Sequence, residues 1–128
     1  PNKKDFAISY VSCCRQYLNI GNVISLETKE LLNIEDVKNI NFARGLSWSK
    51  DGYFLYAGGL LKNNGKYTVL FWDFNNDLKR SFMGKENGFI QEILTLKNGN
   101  IILLTAEPSW SIRNKNGSIL KEIKTGAY

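Results

Sequence analysis

The stretch GLSWSKDGYFLYAGG, residues 45–59, followed by VLFWDFNND, residues 69–77, decides how this chain is read. Leu46 and Trp48 alternate on one side of the first run. Lys50-Asp51-Gly52 then turns the chain, because glycine reaches positive φ without steric cost. The return run YFLYAGG (53–59) and the third run YTVLFWDF (67–74) are almost continuously apolar, the pattern of strands covered on both faces. A longer loop is expected over LLKNNGK (60–66). After the NND turn (75–77), the more polar LKRSFMG (78–84) completes a four-stranded meander.

The same order recurs downstream. FIQEILTL (89–96), NIILLTA (100–106), WSIRNK (110–115) and SILKEIKT (118–125) read as strands, separated by KNG, EPS and NG turns. Asp51-Gly52 and Asn98-Gly99 stand 47 residues apart. Upstream, PNKKDFAISYV (1–11) sits where SKDGYFLYA sits, NVISLE (22–27) parallels VLFWD, and LLNI (31–34) parallels LKRSF. That alignment sets Leu26-Glu27 46 residues before Trp72-Asp73. The first unit would then lack its innermost strand. Over 28–40, Leu31, Leu32, Ile34, Val37 and Ile40 recur at spacings of three, so a short helix is the competing reading there.

Composition narrows the function classes. The chain has 128 residues and a formal charge of +5, with thirteen lysines against four arginines. The lysines are scattered rather than striped, which argues against a nucleic-acid surface. Cys13 and Cys14 are adjacent and the only cysteines, so no disulfide framework or metal spacing arises. A reducing, cytoplasmic setting is the expectation. No apolar run approaches twenty residues, so no membrane-spanning helix is expected. The chain opens on Pro1, which suggests a processed chain or a fragment of a longer one.

Histidine is absent, so Ser-His-Asp and Cys-His catalysis and histidine zinc sites are excluded within these residues. No glycine-rich phosphate loop occurs. Asp51 and Asp77 read as turn formers and Asp73 as a strand end, not as a catalytic carboxylate pair. No cofactor, no metal and no enzymatic activity are expected.

A period near 46 to 47 with four strands per unit is the pattern of propeller blades. Ser49, Asp51, Gly52, Leu55, Gly58, Gly59, Trp72 and Asp73 together resemble a WD40-type repeat, and the similarity runs through nearly the whole chain. The other units are degenerate: Leu26-Glu27 and Ile112-Arg113 stand in place of Trp-Asp. Without histidine, the hydrogen-bond network that WD40 blades often build cannot form. Propellers of the TolB or PD40 type remain alternatives.

The resemblance implies an all-β fold of four-stranded antiparallel blades, about two and three-quarter of them: 1–37 (incomplete), 45–84 and 89–125. Leu46, Trp48, Phe54, Leu55, Val69, Phe71, Trp72, Ile93, Leu94, Ile102 and Leu103 would pack between blades. It also implies a non-catalytic scaffold that binds an unidentified protein partner through rim loops, here carrying Arg44, Lys62, Asn63, Asn64, Lys66, Lys85 and Trp110. Remaining blades or self-association would be needed to close a ring. The alternatives are a propeller segment accessory to an enzyme domain elsewhere in a longer chain, or a small self-assembling β module.

Overall fold

The computed structural model describes residues 5–12, 15–22, 25–32, 45–106 and 109–124. Among them are eleven strands and no helix. The strands form three antiparallel sheets, each a simple meander. Sheet A holds β1 (Asp5–Ser12), β2 (Arg15–Asn22) and β3 (Thr28–Glu30). Sheet B holds β4 (Gly45–Trp48), β5 (Phe54–Asn63), β6 (Lys66–Asp73) and β7 (Lys79–Glu86). Sheet C holds β8 (Ile90–Thr95), β9 (Ile101–Thr105), β10 (Ser109–Arg113) and β11 (Ile119–Lys124). In sheets B and C each strand overlaps the run that predicts it, with β5 extending past its run to Asn63.

Sheet B is the middle layer, which explains its apolar sequence. Side chains alternate across a strand. Leu55, Ala57, Leu70 and Trp72 join a core with Leu18 and Leu32 of the sheet A unit, and Leu46, Trp48 and Ile20 pack against it. Tyr56, Val69 and Met83 point the other way and join Ile90, Ile93, Ile101 and Leu103 of sheet C, with Phe54 and Phe71 against them. Each of these large apolar side chains contributes about 1.5–3 kcal/mol on full burial. Two cores thus share one sheet.

The layers stack in one sense. Leu55 pairs with Trp72 across β5 and β6, and Ile101 pairs with Arg113 across β9 and β10. Leu55 and Trp72 face sheet A, while Ile101 and Arg113 face sheet B. Equivalent faces therefore point the same way, as in a repeating stack rather than a two-fold sandwich.

The sheets approach closely where β5 meets β8. A Cβ on Gly58 would lie 3.1 Å from Ile90 Cβ and 3.2 Å from both Ile90 γ-carbons. Its cross-strand partner Gly45 lies as close to Ile93, where a Cβ would meet Cγ1 at 3.1 Å. Glycine is needed at both positions for contact distance. Gly58→Ala is expected to destabilise by about 1–2 kcal/mol through overpacking. Urea unfolding checks this, and an unchanged midpoint would show that Ile90 gives way freely.

Sheet A departs from the sequence reading. The sequence places a strand over 22–27, but the strand partner of β1 is β2, ending at Asn22. Leu26 sits in a turn with φ of 62°, 80% exposed, and its amide donates to the Asn22 carbonyl. It is no counterpart of Trp72. β2 reads as polar in the sequence, and among its described side chains Leu18 and Ile20 reach the core. The alternative helix over 28–40 begins instead as strand β3, and 33–40 lie outside the described residues. Sheet A has three strands among the described residues.

A side-chain cap identifies the true equivalents. Asp73 Oδ1 accepts from the Asn75 amide at 2.9 Å, and Asn114 Oδ1 accepts from the Asn116 amide at 2.9 Å. Asn22 Oδ1 accepts from the Ser25 amide at 3.0 Å. The first two are Asx turns and the third bond reaches one residue further; each follows the third strand position of its unit. The counterpart of Trp72-Asp73 in sheet C is thus Arg113-Asn114, one residue beyond the pair expected from sequence.

Candidate functional site

Hairpin turns collect at two ends of the stack. One end carries the β5–β6 turn and the β7–β8 segment. The sequence predicts a loop over 60–66, but β5 continues to Asn63 and β6 starts at Lys66. Asn64 and Gly65 alone make the turn, with φ of 52° and 78°. Both in the left-handed region is the two-residue Asn-Gly hairpin signature. The pairing shifts register between Gly58 and Lys62, a bulge that keeps Leu61 in the core while the tip projects.

Four of the sequence-predicted binding residues meet at this tip. Lys62, Asn63, Asn64 and Lys66 are all exposed. The Lys62 ammonium lies 4.8 Å from the centroid of the Tyr67 ring, opposite it in the ladder. Lys66 Nζ donates to Asn87 Oδ1, tying the hairpin to the β7–β8 segment. Tyr67 meets Phe89 edge-on, centroids 6.5 Å apart. Lys85 is exposed on β7, next to Glu86, which is opposite Tyr67. The tip is therefore basic, with an aromatic pair at its base.

Trp110 is set apart from the tip. It is the second residue of β10, half-buried, opposite Leu104 and Ile123. It lies on the face of sheet C turned away from sheet B, with Leu94, Ile102, Leu104 and Ile112. Leu94 is 46% exposed there. Arg44 lies outside the described residues, as do 38–43 and 107–108.

The opposite end carries the turns after β4, β8 and β10. They line a cleft of about 340 Å³ that includes Lys50, Lys97 and Lys115. The sequence does not reveal this cleft, because its three turns are far apart in the chain. The signal it does carry is the Lys-Asp-Gly and Lys-Asn-Gly pair at equivalent turns. A broader depression of about 620 Å³ lies at the end of sheet A, lined by Asp5, Asn22, Glu27 and Lys29 among others.

The carboxylates serve the backbone. Asp51 Oδ1 accepts from the Ser49 hydroxyl at 2.5 Å and the Tyr53 amide at 2.9 Å, which hold its carboxyl below the usual range. Ser49 Oγ in turn accepts from the Phe54 amide at 3.0 Å. Asp77 has φ of 50° within its turn. Among the described residues no three His, Cys, Asp or Glu side chains converge as a metal site would require. Among them also, no helix is long and apolar enough to cross a membrane.

Comparison with protein-family models gives no match, and comparison with curated proteins gives none.

Proposed function

We propose that the chain is a non-catalytic scaffold for protein–protein interaction, built from WD40-like propeller blades and working in the cytoplasm. The observation that carries this reading is the stacking of the sheets in one sense. A repeating stack gathers hairpin tips at each end on a rigid frame, and a rigid frame lowers the entropic cost of presenting contacts. The basic tip at Lys62, Lys66 and Lys85, with Tyr67 and Phe89 at its base, suits an acidic segment of a partner protein. Charge complementarity there would guide encounter more than it sets residence time.

The reading also accounts for the apolar outer face of sheet C. Leu94, Ile102, Leu104, Trp110 and Ile112 occupy the face that, in sheet B, packs on the next sheet. A further sheet, from remaining blades or from a second copy, would cover it.

The test is affinity capture with the chain and with Lys62→Glu/Lys66→Glu at fixed ionic strength. Proteins captured by the chain are expected to bind the variant about tenfold more weakly, a loss near 1.4 kcal/mol. Equal capture of the same proteins by both would remove this tip from the interface.

A further inference from the structure

The cleft at the other end of the stack holds an excess of hydrogen-bond donors around positive charge. Asn98 Oδ1 accepts from the Asn100 amide at 3.0 Å. Asn114 Oδ1 accepts from the Asn116 and Ser118 amides at 2.9 and 3.1 Å. Only the oxygen of each side-chain amide can face a backbone N–H, so the orientation of both groups is fixed. Both side chains line the cleft, and their NH₂ groups remain as donors. Among the described residues, no acceptor is bound to them.

The charges follow the same logic. Lys50, Lys97 and Lys115 line the cleft, and among the described residues none is held in a salt bridge. Among the described residues, Asp51 is the one acidic side chain lining it. One of its oxygens is already occupied by Ser49 and Tyr53. Three ammonium groups against one carboxylate leave the lining about two charges positive.

The donors come from three separate turns, so they converge from different directions. A planar carboxylate presents its acceptors in one plane, whereas a tetrahedral oxyanion presents them all round. We propose that this cleft binds a dianionic tetrahedral oxyanion, a phosphate group either free or carried on a small molecule. Lys50 and Lys97, which hold the same position in equivalent turns, supply the charge. The amide NH₂ groups of Asn98 and Asn114 supply directed donors. The cleft, about 340 Å³, is at the small end of ligand sites, which limits the ligand to modest size. The site is independent of the basic tip at the other end, so either can fail without the other.

The test is titration of the isotope-labelled chain with inorganic phosphate and with phosphoserine, followed by amide NMR shifts, with chloride at matched ionic strength as control. Shifts are expected at 49–53, 96–100 and 114–118. Binding should weaken at least tenfold in Lys50→Gln/Lys97→Gln and in Asn98→Asp, and stay unchanged in Lys62→Gln/Lys66→Gln. It should also weaken from pH 7.5 to 5.5, as the phosphate monoester gains a proton near pH 6. Tighter phosphoserine binding would identify a carried group, and equal binding a free one. The proposal is overturned if chloride gives the same shifts, if the shifts follow lysines over the whole surface, or if the cleft variants bind as well as the parent chain.

Discussion

Replacing Arg113 by alanine is expected to destabilise the protein by about 3–5 kcal/mol. Arg113 stands in sheet C where Trp72 stands in sheet B, and its side chain is 5% exposed. Its Nε donates to Ser111 Oγ at 3.1 Å, one terminal nitrogen to the Gly117 carbonyl at 3.2 Å, and the other to Glu86 Oε1. The Glu86 side chain is 13% exposed and belongs to β7, so the ion pair ties sheet C to sheet B. Alanine would leave a largely covered carboxylate, 13% exposed, without its partner. That uncompensated charge, more than the lost bonds, sets the magnitude.

The same reasoning separates three variants. Arg113→Lys keeps the charge but loses the planar fork that reaches three acceptors at once, so it should recover only part of the loss. Replacing Arg113 and Glu86 together by methionine and leucine removes both charges, and should cost far less than Arg113→Ala alone. Urea unfolding midpoints of the parent and the three variants measure this. If Arg113→Ala falls within about 1 kcal/mol of the parent, the pair is an exposed one in solution.

How far the fold is legible in the sequence depends on what each segment has to cover. β5 and β6 are buried on both faces, so Leu55 to Gly59 and Thr68 to Leu70 are small or apolar, and the strands read directly. The turns at Asp51-Gly52, Asn98-Gly99 and Asn116-Gly117 carry glycines at positive φ, which punctuate sheets B and C. β2 escapes notice because its run is mostly polar in sequence. Leu18 and Ile20 are too few to mark a strand against Arg15, Gln16, Asn19 and Asn22. The β5–β6 tip reads as a loop because Lys62, Asn63, Asn64, Gly65 and Lys66 are polar or turn-forming, although β5 keeps Leu61 on the same face as Leu55 and Ala57. Among site residues, Lys62 to Lys66 are recognisable from one contiguous polar segment. The opposite cleft is not, because folding alone brings Lys50, Lys97 and Lys115 together. The sequence repeat sets Arg113 one residue out of register, an error that the Asn114 cap and the cross-strand pairing both correct.

Alkaline solution is expected to weaken the fold through Tyr56, the second large effect. Tyr56 is 1% exposed, between Phe54 and Phe71 with ring centroids 6.2 and 5.6 Å away. Its hydroxyl is buried with no hydrogen-bond partner among the described residues. Burial first, and then the negative charges of Asp51 and Asp73, push its pKa up from 10.0 to about 12. The folded chain therefore keeps a proton that the unfolded chain gives up near pH 10. The stabilisation is whole below pH 10 and is lost as pH rises from 10 to 12. Two units correspond to at most about 3 kcal/mol, less whatever solvent screening reaches the ring. Tyr56→Phe removes the titration and the unpaired hydroxyl together. At pH 8 it should be neutral or more stable than the parent by about 1 kcal/mol. By pH 11 its advantage should grow by about 1 kcal/mol more, because only the parent has a buried phenol to keep protonated. The two proteins differ at this one hydroxyl, so the difference between their urea midpoints across that range isolates Tyr56. A constant difference from pH 8 to 11 would mean that its hydroxyl reaches water in the folded state.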